Sequence, residues 1–369
     1  MRVIVSGGGT AGHINPALSL AEELQARGHE VRYAGTPEGL ERRLAAQANL
    51  DYEAFRARGF DRARPASLLR AVGLALGETR RARRWLSQVR ANAVVTFGGY
   101  VCLPVGRAAL AERIPLVVHE QNSVMGLANR YLAQRAQAVC LTYAAAGQGL
   151  SARGPVAVTG NPVRASVLSG SRAQGREMLG IPDDALILLV TGGSLGARHV
   201  NDAVCGLKGR LLSHEGLHVV HVTGPNELDR VRETLALTDD EARRWHLFGY
   251  QDHMGACMAA ADAVVSRAGA TSLAEISARA LPALLVPFPH ATADHQTANA
   301  RSYVDAGCAF MVPDAEVEGE RFAEWLFTLI ESDEVRRQQA ACARAQQTSG
   351  AAGRLADAVE RAAASSPRS

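Results

Sequence analysis

Two stretches of this chain obey one grammar: an unbroken apolar run, a glycine loop, a helix start. At the N terminus Val3-Ile4-Val5 leads into Gly7-Gly8-Gly9-Thr10-Ala11-Gly12-His13. In the middle Leu186–Val190 leads into Thr191-Gly192-Gly193-Ser194-Leu195-Gly196-Ala197-Arg198. Further apolar runs follow each loop, separated by helix-length segments. After the first come Val31–Ala34, Ala93–Phe97, Pro115–Val118, Ala138–Leu141 and Val156–Val158. After the second come His218–Val222, His246–Phe248, Ala263–Val265 and Ala283–Val286. Continuous rather than alternating runs are the signature of parallel strands covered on both faces. The repetition predicts an α/β chain of two Rossmann-like, doubly wound domains, and 369 residues is a suitable length for two. A polar stretch from Gly160-Asn161-Pro162 to Pro182-Asp183-Asp184 separates them. The expected boundaries are 1–162, 163–345, and a C-terminal helical segment, 346–369, able to return to the first domain.

The loops point to phosphate. The first contains GxGxxG as Gly7, Gly9 and Gly12. Between a strand and a helix this pattern offers an anion backbone N–H groups and the positive end of a helix dipole. A dinucleotide fold also wants an acid ~20 residues on, at the end of the second strand. Here that strand ends Tyr33-Ala34-Gly35-Thr36, with no acid until Glu38, which disfavours a nicotinamide enzyme. The second loop repeats the device, with Ser194 either a phosphate ligand or a helix N-cap. Two such loops predict one phosphorylated substrate for each domain.

Other polar clusters fall at strand ends, where such sheets bind ligands. Ser266-Arg267-Ala268-Gly269-Ala270-Thr271-Ser272-Leu273-Ala274-Glu275 opens a helix with small residues and carries a carboxylate one turn in. Glu275 can accept both hydrogen bonds of a ribose diol, or simply complement the helix dipole. Pro287-Phe288-Pro289-His290 and Asp294-His295-Gln296-Thr297-Ala298-Asn299 bring groups able to read sugar hydroxyls. Phe97-Gly98-Gly99-Tyr100 and His119-Glu120-Gln121-Asn122 each follow a strand of the first domain. No Asp-x-Asp triplet occurs, so phosphate charge falls to helix N-termini and arginines such as Arg164.

Between Arg56 and Arg90 stand ten arginines and only two acids, Asp61 and Glu78. Leu68, Leu69, Val72 and Leu76 lie among them at helical spacing, which suits either an anionic membrane surface or a core-packed helix with a solvated face. Aromatic residues are only 5% of the chain and no nucleic-acid motif accompanies the basic run, so a nucleic-acid partner is not expected. The six scattered cysteines read as small buried apolar residues in a reducing compartment. The N terminus does not read as a signal peptide, and no apolar stretch nears the ~20 residues that span a bilayer.

Taken together and in order, these motifs resemble the MurG family of peripheral membrane glycosyltransferases. The resemblance rests on GGGTAGH at Gly7–His13, FGGYV at Phe97–Val101, HEQN at His119–Asn122, GNPVR at Gly160–Arg164 and GGSLGAR at Gly192–Arg198. SRAGATSLAEI from Ser266 and DHQTANA from Asp294 complete it. It implies a GT-B fold with a donor cleft between two domains. It implies inverting transfer of N-acetylglucosamine (GlcNAc) from UDP-GlcNAc to the C4 hydroxyl of the muramoyl sugar of lipid I, without metal or other cofactor. Glu275 would hold the ribose, Ser194 and Arg164 the diphosphate, and Gln296 the sugar hydroxyls. Asn122 and the Thr10-Ala11-Gly12 loop would reach the donor sugar, and that loop would also dock the acceptor diphosphate. The binding set extends to Tyr100, Gln251, Ala270, Thr271, Ser272, Leu273, Ala274 and His295. His13 is the candidate general base, with Glu120 the alternative. The Arg56–Arg90 region would dock on the anionic cytoplasmic face of the cell membrane, near other cell-wall synthesis proteins.

Ala11 and Gln251 depart from the family pattern, which commonly has glycine and an apolar residue there. Alternatives are another GT-B glycolipid transferase, a UDP-GlcNAc 2-epimerase of similar fold, or a non-catalytic membrane scaffold.

Overall fold

The computed structural model describes residues 1–57, 65–193, 196–345 and 350–365, with only the backbone described at 65–72 and no side-chain description at 292. The chain divides into two compact units. One is Met1–Arg164 together with the C-terminal segment from Gly350, and the other is Ala165–Ser349.

Among the described residues the first unit holds seven parallel strands: β1 (Arg2–Ser6), β2 (Glu30–Gly35), β3 (Asp51–Ala54), β4 (Ala93–Thr96), β5 (Leu116–Glu120), β6 (Ala138–Leu141) and β7 (Val156–Val158). Their order is β3-β2-β1-β4-β5-β6-β7. The second unit holds β8 (Leu186–Thr191), β9 (Leu217–Val222), β10 (Trp245–Phe248), β11 (Ala263–Ser266), β12 (Ala283–Leu285) and β13 (Ala309–Met311). Their order is β10-β9-β8-β11-β12-β13, again all parallel. Each sheet therefore reverses its winding at its founding strand, between β1 and β4 and between β8 and β11. Those are the topological switch points at which such sheets bind ligands.

Apart from Arg2 at the start of β1, β1, β4, β5, β9 and β11 are buried because helices cover both faces. The helix Ala11–Ala26 turns Ile14, Leu18, Leu20 and Leu24 inward, and Gly28, at φ +80°, supplies the left-handed turn that ends it. The C-terminal helix Ala351–Ala364 packs Leu355, Ala356 and Val359 into the same cluster. Arg27 ties it down, its Nη1 lying 2.6 Å from Asp357 and 3.1 Å from Glu360, while His29 lies 2.8 Å from Glu360. Each buried leucine or valine contributes about 1.5–3 kcal/mol, so these apolar contacts outweigh the half-exposed ion pairs.

Three expectations need correction. Asp51–Ala54 and Ala309–Met311 are strands, the outermost of their sheets, and β7 has all three residues exposed rather than covered. Cys308 and Cys342 are joined as a disulfide, with Cα atoms 5.1 Å apart, while Cys102, Cys140, Cys205 and Cys257 are free and buried.

Burial leaves three histidines poorly protonated: His119 falls to about 4, His221 to about 3 and His246 to about 4, each mainly by desolvation. In an unfolded chain they titrate near 6.5. Between pH 6.5 and about 4 the unfolded state therefore binds more protons, and acidification favours unfolding. Stability is fully present above pH 6.5 and should fall by up to about 1.4 kcal/mol per pH unit for each ring as pH drops through that window. Calorimetric melting from pH 7 to 4.5 checks this. His221→Gln should flatten the dependence of the second unit, and an unchanged slope would show that His221 does not carry it.

Candidate active site

At the first switch point two loops cross. The glycine loop leaves β1, and Phe97-Gly98-Gly99-Tyr100 leaves β4 beside it. Gly98 and Gly99 take φ +104° and +83°, and a Cβ on Gly99 would sit 2.3 Å from the Gly8 carbonyl oxygen. Only glycine permits that crossing. Tyr33 braces the glycine loop from below, its hydroxyl donating to the Gly7 carbonyl at 2.8 Å. Ala11 opens the helix with negative φ, so alanine is unstrained there.

The loop presents His13. Its Nδ1 lies 3.0 Å from the Gly8 carbonyl and 3.3 Å from the Thr10 hydroxyl. A carbonyl can only accept, so Nδ1 carries the proton and the basic lone pair of the neutral ring falls on Nε2, on the side facing Gly98. Tyr100 is exposed on the neighbouring loop.

Glu120, at the end of β5, is buried and committed. Oε1 accepts from the Asn122 backbone N–H at 3.1 Å and its side chain at 3.2 Å; Oε2 accepts from Gly126 N–H at 3.0 Å and Asn129 at 2.8 Å. This carboxylate shapes the turn that carries Asn122. His119 faces the other way: its Nε2 donates to the Gly160 carbonyl at 3.0 Å while Gln121 donates to Nδ1 at 2.9 Å. The HEQN and GNPVR motifs are thus joined. The second is also tied to the helix Ala11–Ala26, through Ser19 to the Val163 carbonyl at 2.8 Å and Arg164 to Glu22 at 3.5 Å. Arg164 falls in the first unit, with Glu22 as its ionic partner.

In the second unit β8 leads into the second glycine loop, whose Ser194 and Leu195 lie outside the described residues. Gly196, at φ +79°, crosses so close to Thr223 that a Cβ would stand 2.1 Å from its carbonyl oxygen. That carbonyl accepts from Asn201 at 3.0 Å, and Asn201 in turn accepts from His221 at 3.0 Å. The helix Ala270–Arg279 starts just beyond β11, burying Ala270, Thr271 and Leu273 and leaving Ser272, Ala274 and Glu275 partly exposed. Gln296 accepts from the Phe288 backbone N–H at 3.0 Å, which fixes its side chain beside the exit of β12. Ala293 and Asp294 both take left-handed φ, +53° and +51°, immediately before His295. Strain of this kind gathers at ligand-binding turns. Gln251 accepts from the His253 N–H at 2.9 Å in the loop after β10.

Glu41 was not anticipated. Fully buried behind the first glycine loop, it accepts from the Thr36 N–H at 3.0 Å and hydroxyl at 2.6 Å. Gly8, Gly35 and Gly39 all leave room for it, and this clustering of glycines around one acid was the available signal. Asn129 and Asn201, each inside a helix, gave no comparable sign.

Two Rossmann-like units with a glycine loop at each switch point are the elements of the GT-B fold, and the family models make the chain a glycosyltransferase of that class. The glycosyltransferase family 28 N-terminal domain matches residues 3–141 and the family 28 C-terminal domain matches residues 187–355. The chain belongs to the MurG family. A Halothermothrix orenii relative is 36% identical over 335 residues, covering 89% of this chain and 90% of the relative. A Desulforudis audaxviator relative is 38% identical over 328 residues, covering 87% of each. Both carry the name UDP-N-acetylglucosamine–N-acetylmuramyl-(pentapeptide) pyrophosphoryl-undecaprenol N-acetylglucosamine transferase. The crystal structure of Acinetobacter baumannii MurG superposes with a TM-score of 0.75 at 29% identity, covering 98% of this chain and 99% of that one. UDP-GlcNAc 2-epimerase from Neisseria meningitidis shares the fold, with a TM-score of 0.67 at 15% identity, covering 98% of this chain and 100% of that one.

The crossing of the two first-unit loops is testable by Gly99→Ala. The substitution combines a forbidden approach with a left-handed φ and should destabilise by about 2–4 kcal/mol. Urea unfolding measures it, and a loss under 1 kcal/mol would mean that the loops can separate at little cost.

Proposed function

We propose that this chain transfers GlcNAc from UDP-GlcNAc to the C4 hydroxyl of the muramoyl sugar of lipid I, with inversion, to give lipid II. The observation that carries the reading is the match to enzymes named for that transfer, over about nine-tenths of both chains. The site residues are compatible with it. In the second unit Glu275 accepts from the ribose diol, and the loop around Ser194 with the helix start at Ala270–Leu273 receives the diphosphate. Gln251 lies toward the uracil, while His295 and Gln296 read the sugar hydroxyls. In the first unit the N–H groups of the Thr10-Ala11-Gly12 turn hold the acceptor diphosphate, and Tyr100 and Asn122 line the sugar. Arg164 supplies further positive charge.

In the transfer the C4 hydroxyl attacks C1 of GlcNAc while the C1–O bond to UDP breaks. Nε2 of His13 takes the hydroxyl proton as general base. Helix N-termini and loop N–H groups stabilise the negative charge that gathers on departing UDP.

Transfer of labelled GlcNAc to a lipid I analogue, with EDTA present, tests the reading. Glu275→Ala should raise the KM for UDP-GlcNAc about ten- to a hundredfold, and His13→Ala should lower kcat by about 10²–10⁴. UDP binding without transfer would keep the donor site and overturn the acceptor.

The same reading places the enzyme on the cytoplasmic face of the cell membrane, docked by the basic helix Pro65–Gln88. No helix among the described residues is long and apolar enough to cross a membrane. The side chains of Leu68, Leu69 and Val72 lie outside the described residues, and Leu76 is exposed. Arg81 is engaged with Glu53, the Ala54 carbonyl and the Phe55 ring, and Arg83 lies 2.6 Å from Glu112. Arg80 and Arg84 are exposed and line a surface depression of about 520 Å³ with Arg83, Ser87, Gln88 and Glu112. Each basic residue at an anionic surface contributes about 1 kcal/mol. Arg80→Glu with Arg84→Glu should therefore weaken binding to phosphatidylglycerol vesicles at least about tenfold while leaving UDP affinity unchanged. Undiminished vesicle binding would remove these two arginines from the docking face.

A further inference from the structure

We infer that Asp314 is a positioning residue for the donor site, acting through Arg267 and His199. The inference rests on the proposed reading of the second unit as the donor-binding unit and extends it to residues that touch no substrate. Arg267 directly follows β11, two residues before the N-cap Gly269 of the helix that carries Glu275. Its Nη1 donates to the Val286 and Pro287 carbonyls beyond β12, both at 3.2 Å, and to Asp314 Oδ1 beyond β13, at 2.5 Å. The other carboxylate oxygen meets His199 Nδ1 at 2.6 Å, and His199 sits in the first turn of the helix that follows the second glycine loop. One carboxylate thus links the exits of β8, β11, β12 and β13. The guanidinium also lies 5.6 Å from the centre of the Phe288 ring, and the Phe288 N–H orients Gln296.

Arg267 and Asp314 are 8% and 7% exposed. An ion pair so buried is a poor way to gain stability, since desolvation offsets most of its attraction, and apolar residues of similar volume often serve the fold equally well. What it adds is direction. The bonds from Arg267 and Asp314 set the spacing between the phosphate loop, the Glu275 helix and the Gln296 turn. Parallel strand exits share no ladder bonds, so side-chain ties hold their spacing: this one, and the weaker bonds from Asn299 to the Ala268 carbonyl at 3.4 Å and from Tyr303 to the Leu273 carbonyl at 3.2 Å. Donor affinity should depend on this tie more than folding does.

The experiment measures UDP affinity by calorimetry, with KM, kcat and Tm alongside, in three variants. Asp314→Asn keeps the shape and removes the charge. It should raise the UDP Kd and the KM for UDP-GlcNAc about tenfold. The double variant Arg267→Met with Asp314→Leu replaces the pair by apolar groups. It should melt within a few degrees of the parent while UDP affinity stays reduced. His199→Gln changes only the exposed end of the network and should weaken UDP about threefold without lowering Tm. A double variant with both parental Tm and parental UDP affinity would overturn the inference, because apolar groups of similar volume would then do all that the pair does. Should the buried variants fail to fold, parental UDP affinity in His199→Gln would overturn it equally. A parent chain that binds no UDP would instead count against the donor reading itself.

Discussion

A parallel sheet that winds outward in both directions from one strand has to open a gap at that strand. The chain leaves β1 toward one face and β4 toward the other, and the loops that meet beyond their ends are glycine-rich, which leaves little side-chain bulk there. The same holds at β8 and β11. The candidate chemistry of this protein follows from those two gaps. A helix must begin beside each, and its first N–H groups lack partners within the helix. A glycine loop turns that shortage into an anion seat, because without Cβ atoms the backbone can lie against a ligand or another loop. Gly99 over Gly8 and Gly196 over Thr223 are two such close approaches, and both residues have left-handed φ.

A gap of this kind is useful only if its edges keep their spacing, and the ladder bonds of a sheet stop where the strands stop. In both units buried polar groups take over beyond that point. In the first, Glu120 gathers the Asn122 turn, and His119 joins it to Gly160. In the second, Asn201 joins the glycine loop helix to the exit of β9. These groups are buried and their hydrogen bonds are directional. An apolar residue of equal size could fill the volume but could not choose among nearby loop positions.

This division explains what was legible in the sequence. The central strands announced themselves as unbroken apolar runs because both faces are covered. Asp51–Ala54 did not, since an outer strand needs little apolar surface and Asp-Tyr-Glu-Ala reads as a loop without its neighbour β2, while Ala309–Met311 is apolar but only three residues long. Glycine loops were legible because glycine marks a backbone requirement directly. Partners were not. The sequence names Glu120 but not that its oxygens accept from Asn122, Gly126 and Asn129, and it names Arg164 but not that Glu22 lies beside it. Cys308 and Cys342 stand 34 residues apart, and no local spacing foretells their pairing.

The arginines illustrate the same limit at the surface. By count, the segment from Arg56 to Arg90 is a uniform block of positive charge. Folded, its members part company. Arg81 reaches back over Phe55 to Glu53 and the end of β3, so much of its charge is answered within the protein. Arg83 turns to Glu112 on the neighbouring chain segment. Arg80 and Arg84, one helical turn apart, point to solvent beside a shallow depression. A membrane surface responds to charge that is not already neutralised at short range, since screening leaves little field beyond about 8 Å at physiological ionic strength. The charge open to any outside partner is therefore set by the partners the fold provides, and a tally of basic residues overstates it.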